Sequence, residues 1–251
     1  MKAKLYLVKK VDVKNSLIAK LIGFLLLWPL SINPALSKNI NNQLLSYQLE
    51  KNLNQNRYDL LQDIFLQGAF DQFYKQYLDF RGKYKDAKWS IKIKSNHLNK
   101  KFLYIRITSK RGIGDQVYNL NTKQTIEIET LRNKIKSYKV ISEESILNTE
   151  DSPLDVKLIS PDKVSTGERY EMSLIIESPL DNSLIAGGMI VIKNQSKNNI
   201  TNDQFGIKPN LSGGLFKYIQ APLEPGFQTI SAIITHPEGI YSITKKIKVD
   251  L

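Results

Sequence analysis

Apolar residues recur at helical spacing along residues 42–80. Leu45, Leu49 and Leu53 are four residues apart, which is typical of one face of a helix. A longer apolar face follows at positions i, i+3, i+4, i+7 and i+8, formed by Phe70, Phe73, Tyr74, Tyr77 and Leu78. Arg81-Gly82 is expected to end this helix. We expect the aromatic face to be core, with the lining of a ligand cavity as the alternative.

From Lys88 onward the apolar period changes to two, as in strands with one solvated face. The alternating apolar positions are Trp89, Ile91, Ile93, Leu103, Ile105, Ile107, Ile126 and Ile128. Turns are predicted at Asn99-Lys100 and at Arg132-Asn133-Lys134, and Ile135 to Ile141 supplies a further strand. Residues 88–141 therefore predict a four-stranded antiparallel meander, whose apolar face the preceding helices must cover.

The segment from Ser142 to Pro153 is acidic and contains a proline, so it is predicted to be a linker. Six or seven short strands separated by turn residues follow between Val156 and Val249, which is typical of a small β-sandwich. The predicted core of this part comprises Met172, Leu174, Ile176, Ile230, Ala232, Ile234, Tyr241, Ile243, Ile247 and Val249.

Three segments carry a resemblance to a known superfamily: the helical stretch Asn42 to Phe80, the strands around Gln124 to Leu131, and the closing Asn133 to Tyr138. Together they resemble the nuclear transport factor 2-like superfamily, in which a curved sheet wraps helices into a cone. The C-terminal part is similar in architecture to an immunoglobulin-like domain. The expected fold class is α+β, with N-terminal helices packed on a curved antiparallel sheet, followed by an all-β sandwich domain.

The first 37 residues have the three-part pattern of a signal peptide. Lysines precede the apolar run Leu21 to Leu30, and Ala35-Leu36-Ser37 supplies small residues for cleavage. The run is shorter than the ~20 residues of a membrane-spanning helix, although an uncleaved anchor is the alternative. We expect cleavage after Ser37 and a soluble protein in the periplasm or another extracytoplasmic compartment. The expected divisions are residues 1–37 (signal peptide), 38–148 (α+β domain), 149–154 (linker) and 155–251 (sandwich).

The search for catalytic or metal-binding residues is negative. The chain has no cysteine, and its two histidines, His97 and His236, lie in predicted turns without partners at metal spacing. Gly112-Ile113-Gly114 lacks the continuation of a phosphate-binding loop, so it is expected to be a tight turn. We therefore predict no catalytic residue, no metal site and no cofactor.

The positive charge is concentrated in one segment. The chain has 36 basic and 24 acidic residues, and ten of the basic ones lie between Lys83 and Arg111 with a single acidic residue. By the period-two rule, Lys88, Lys92 and Lys94 share one side of the first strand, and Tyr104 and Arg106 share one side of the next, so a basic face on the sheet is predicted. The residues assigned to this face are Lys88, Lys92, Lys94, Lys101 and Arg106. Its expected partner is an acidic protein or an anionic membrane surface, and a merely solvated strand face is the alternative. Scarce arginine argues against nucleic acid.

The resemblance to cone-shaped domains implies a cavity, and a small hydrophobic ligand pocket is predicted around Tyr74, Tyr77 and Trp89. The expected function is that of an exported, non-enzymatic protein that binds a ligand or partner through the pocket, the basic face, or both. One alternative, implied by the superfamily, is an isomerase or dehydratase acting on a small hydrophobic substrate. A second alternative is a peripheral protein of an anionic membrane surface.

Overall fold

The structure is a computed structural model that describes residues 42–96, 98–152, 154–178, 183–192, 206–210 and 213–251. The predicted signal peptide, His97 and Pro153 lie outside the described residues. The described chain begins with three helices and continues as strands to its end. The expected α+β class, with a β-rich C-terminal part, is confirmed.

The helices are α1 (Asn42–Asn54), α2 (Tyr58–Ile64) and α3 (Gln67–Lys83). Leu45, Leu49 and Leu53 are all buried, as their spacing predicts. The predicted face of α3 is wrong at one position, because Leu78 is 42% exposed while Phe80 is buried. Phe80 follows Tyr77 by three residues and so stays on the buried face, whereas Leu78 is turned about 100° from Tyr77.

In the described residues, twelve strands form two sheets. The strands are β1 (Lys88–Ser95), β2 (Lys101–Ile113), β3 (Gln116–Leu131), β4 (Lys134–Thr149), β5 (Val156–Ile159), β6 (Lys163–Ser165), β7 (Arg169–Ile176), β8 (Ile185–Ile192), β9 (Lys208–Asn210), β10 (Gly214–Gln220), β11 (Gly226–His236) and β12 (Gly239–Asp250). The large sheet has the order β1-β2-β3-β4-β12-β11-β8-β9, with β6 joined to β12, and the small sheet has the order β10-β7-β5. The predicted antiparallel meander is confirmed in β1 to β4.

Strand β4 joins the two halves of the chain. The prediction that a linker starts at Ser142 is wrong, since β4 continues to Thr149 and its end pairs with β12, from Glu143↔Lys246 to Asn148↔Tyr241. The acidic residues that resembled a linker lie opposite lysines of β12, so their charge suits the pairing. The predicted linker at 149–154 falls at the turn after β4, and the division of the chain into two domains stays a prediction.

Two apolar clusters lie on opposite faces of the large sheet. The first contains the buried residues of the helices and of β1 to β4, and we call the helix-bearing side the inner face. The second contains residues of β8, β11 and β12 together with those of β7, from the small sheet, and defines the outer face. Neighbouring residues of β4 contact different clusters, with Leu147 in the first and Ile146 packed against the second. Every residue of the predicted C-terminal core lies in the second cluster.

Side chains of α1 cover the free edge of β1. The Asn54 amide donates to the Trp89 carbonyl at 2.8 Å and accepts from the Trp89 N–H at 2.8 Å. The Glu50 carboxylate accepts from the Ile91 N–H at 2.7 Å. These contacts imitate a neighbouring strand, so the edge does not offer those backbone groups to another chain.

A buried arginine connects α1, α3 and β1. The Arg81 guanidinium donates to the carbonyls of Leu53 (2.7 Å), Lys85 (2.5 Å) and Ala87 (3.2 Å). The central carbon of the guanidinium, Cζ, also lies 4.5 Å from the centre of the Trp89 ring. The sequence pattern suggested only a helix end at this position, whereas the structure shows that Arg81 satisfies a carbonyl at the end of α1 and two carbonyls in the connection between α3 and β1.

Candidate functional site

The first candidate site is a small cavity between the helices and the inner face. Its volume is about 90 Å³, and its lining is mainly apolar side chains of α1, α3 and the first four strands. Tyr77 and Trp89, two of the three predicted pocket residues, line it. Tyr74 is not among the lining residues and instead packs against Phe70, with ring centres 5.2 Å apart. The space is therefore much smaller than the ~300–1,000 Å³ typical of ligand pockets.

The polar groups of this cavity are engaged within the protein. The Tyr77 hydroxyl lies 2.9 Å from Asn56 Oδ1 and 3.1 Å from the Leu53 carbonyl, and it accepts from Arg81 Nε at 3.2 Å. Burial raises the pKa of Tyr77. The Gln124 amide, also in the lining, donates to the Glu143 carboxylate at 2.9 Å. None of the described lining residues is an aspartate, glutamate or histidine.

Glu143 is a buried acid on the inner face, next to the cavity lining. Burial raises the pKa of its carboxyl to about 8, while the hydrogen bond from Gln124 and the charge of Lys246 act in the opposite direction. Burial also lowers the pKa of Lys246, whose ammonium donates to the Val140 carbonyl at 3.1 Å. Perturbed acids occur in working sites, but Glu143 reaches the cavity only through Gln124.

The second candidate site is a groove of about 510 Å³ on the outer face. Two cross-strand rows form its floor, and the lining also includes Ile105, Gln124, Glu143 and Lys246 from the alternate positions. One row consists of Lys92, Tyr104, Thr125 and Ser142, and the other of Ser90, Arg106, Lys123, Glu144 and Lys245. Asp162, from the connection between β5 and β6, borders the groove where the small sheet approaches. The meander and the C-terminal part therefore build this groove together.

The charges of the groove are only partly paired. Lys245 contacts Asp162 at 2.7 Å, and Lys123 lies 3.6 Å from Glu144. Within the described part of the chain, neither Lys92 nor Arg106 makes an ion pair. Arg106 also lies directly opposite Lys123 in the β2–β3 ladder. Like charges in this arrangement destabilise a sheet. The floor therefore carries positive charge that does not contribute to the stability of the fold.

The structure brings together four of the five residues of the predicted basic face. Lys88, Lys92, Lys94 and Arg106 are exposed on the outer face, and Lys92 and Arg106 line the groove. Lys101 does not belong to this face. It is buried on the inner face, 3.4 Å from the Thr130 hydroxyl, because its odd position in β2 is shared with Leu103 rather than with Arg106. Burial accordingly lowers the pKa of Lys101.

Sequence reasoning missed the far side of the groove. Lys123 and Glu144 alternate correctly for the outer face, and the period-two rule applied to β3 and β4 would have found them. Lys245 and Asp162 carry no such signal, since they reach the groove only through the pairing of β12 with β4 and the position of the β5–β6 connection.

Other chemistry is sparse in the described residues. They contain no group of three or more histidine, aspartate or glutamate side chains arranged to hold a metal ion. His236 lies at the end of β11, where its Nδ1 accepts from the Glu238 N–H at 3.2 Å. No helix in the described part of the chain has the length and apolar character needed to cross a membrane.

Comparison with known proteins gives one family match. Residues 151–250 match a family described as a domain of unknown function (DUF8623). The match covers β5 to β12 and less than half of the chain, and no curated protein matches the sequence. The matched region includes Asp162, Lys245 and Lys246 of the groove, while the remaining lining residues precede it.

Proposed function

We propose that this chain is a non-enzymatic binding protein that holds an acidic protein segment in the outer-face groove. The observation that carries the proposal is the pair of exposed cations, Lys92 and Arg106, in the floor of a 510 Å³ recess without an ion-pair partner among the described residues. That volume lies within the range of binding sites, whereas the inner cavity of about 90 Å³ does not.

The shape of the site favours a protein segment over a membrane surface. Lys92 and Arg106 lie in a recess that is bordered by Asp162, which is largely exposed and forms an ion pair with Lys245. A flat anionic bilayer would meet this rim before it reached the floor. A narrow acidic segment can instead enter the recess, and the exposed cations can steer its approach.

We also propose the finer fold and location. The nuclear transport factor 2-like reading of the first part is supported by three helices packed on one face of an antiparallel meander. The immunoglobulin-like reading of the second part is supported by two sheets that share one apolar cluster. Export by the N-terminal signal pattern is retained as part of the proposal, and sequencing the N-terminus of the protein purified from its host tests it.

The test of binding uses the purified protein and fluorescein-labelled octaglutamate, with octalysine as the probe of opposite charge. Anisotropy should show binding of octaglutamate that weakens between about 0.01 and 0.15 M salt, as the screening length falls from about 30 to about 8 Å. Arg106→Gln and Lys92→Gln should each weaken it several-fold. Lys75→Gln removes the same charge from the exposed surface of α3 and should leave binding unchanged.

Two outcomes would contradict the proposal. Equal binding of octaglutamate by the Arg106→Gln and Lys75→Gln variants would show that net charge, and not the groove, attracts the peptide. Binding to vesicles containing phosphatidylserine without binding to octaglutamate would favour the membrane-surface alternative.

A further inference from the structure

We propose that the groove recognises an extended segment with two carboxylate side chains two residues apart, one bound by Arg106 and the other by Lys92. This inference rests on the proposed function and specifies the chemistry of the partner. It follows from the positions of the two cations in the ladder, from the choice of arginine at one of them, and from the exposed ring between them.

The spacing of the two cations suits an extended chain. Lys92 lies opposite Tyr104, and Arg106 lies opposite Ser90, so the two cations are diagonal neighbours on β1 and β2. Diagonal neighbours on one sheet face are about 7–8 Å apart. Side chains at i and i+2 of an extended segment point to the same side and are about 6.6–6.8 Å apart. One side of such a segment can therefore meet both cations.

Arginine is a rare residue in this protein. The chain has 30 lysines and six arginines. Arg57 pairs with Asp59, Arg81 binds backbone carbonyls, and Arg169 lies over the Tyr218 ring. Arg106 has no such contact among the described residues, and it faces the like charge of Lys123. A planar guanidinium can bind a carboxylate through two parallel hydrogen bonds, which a lysine cannot do.

Tyr104 completes the recognition surface. It lies beside Lys92 in the ladder and two residues before Arg106 on β2, and it is 43% exposed. The Lys94 ammonium lies 5.6 Å from the centre of the Tyr104 ring. Among the described residues Lys92, on the groove side of the ring, makes no such cation–π contact. The exposed ring, next to both cations, offers apolar surface to the methylene groups of the two bound acidic side chains.

The experiment compares two labelled, C-terminally amidated pentapeptides of the same composition, with the full-length protein as receptor. The sequences are Gly-Glu-Gly-Glu-Gly and Gly-Glu-Glu-Gly-Gly, which differ only in whether the carboxylates share one side of an extended chain. We expect the first to bind at least about threefold more tightly. Arg106→Lys, which retains charge but not the two-bond geometry, should abolish this preference and weaken binding of the first peptide about fivefold.

The matched control is Arg132→Lys, in the turn between β3 and β4, which should change neither affinity. Circular dichroism of each variant establishes that it is folded. Equal affinity for the two pentapeptides, or wild-type affinity in Arg106→Lys, would overturn the inference. The proposed function would survive that result if octaglutamate still bound in a manner that depends on Lys92 and Arg106. Absence of octaglutamate binding would overturn both.

Discussion

Replacement of Arg81 by methionine should sharply lower the free energy of unfolding. Methionine fills a similar elongated space but cannot donate hydrogen bonds. The substitution removes the donors to the Leu53, Lys85 and Ala87 carbonyls and the contact with the Trp89 ring. It thereby releases α1, the end of α3 and the start of β1 from each other at one point.

The magnitude follows from the buried carbonyl groups. Each hydrogen bond from a charged donor contributes about 1.5–3 kcal/mol, and an unsatisfied buried acceptor costs about 1–3 kcal/mol. The return of the guanidinium to water in the wild-type unfolded state offsets part of this loss. We therefore expect a net decrease of about 3–5 kcal/mol, as for other broken buried charge networks. Arg81→Lys, which retains the charge and fewer donors, should lose less.

Urea unfolding monitored by tryptophan fluorescence and by far-UV circular dichroism measures the change. Trp89 lies against the guanidinium and reports on this region directly. The control is Arg57→Met, which removes an exposed arginine paired with Asp59 and should leave the midpoint unchanged. A decrease below about 1 kcal/mol for Arg81→Met, or equal effects of the two variants, would refute the reasoning from buried carbonyls.

Three further predictions concern the sheet and its buried acid. Cleavage at a protease site inserted in the turn after β4, at residues 150–152, should yield two fragments that co-elute in size-exclusion chromatography, because β4 and β12 remain paired. Separation of the fragments without denaturant would show that the two parts are independent domains. Asn54→Ala should lower the free energy of unfolding by about 1–2 kcal/mol and increase light scattering on storage, because it uncovers the edge of β1. The control Asn121→Ala, on the exposed outer face, should change neither quantity. The pKa of Glu143 is raised on folding, so the stability contributed by its protonated form is full at pH 4 and is lost as the pH rises through about 8. Glu143→Gln should therefore raise the melting temperature more at pH 9 than at pH 5. A gain that is independent of pH would contradict the raised pKa of Glu143.

Local periodicity determined most of the secondary structure of this protein. The four-residue spacing of Leu45, Leu49 and Leu53 specifies the buried side of α1, and the alternation from Trp89 to Ile93 specifies the two sides of β1. These patterns work because each element buries one face and solvates the other. The period-two rule was not followed strictly at Lys101, whose parity already places it with Leu103 on the inner face. The helical spacing was followed at Leu78 and still failed, because the buried face of α3 continues to Phe80 instead.

Only the tertiary structure decided how the two halves meet and where a partner can bind. The acidic end of β4 looks like a linker in the sequence, and it becomes a central strand because β12, about 100 residues later, supplies lysines and backbone partners. The same pairing brings Lys245 and Asp162 to the groove that Lys92 and Arg106 begin. Hydrophobic periodicity reports which side of a strand is buried, but it contains no information about which distant strand will lie beside it. That choice depends on the packing of the whole sheet.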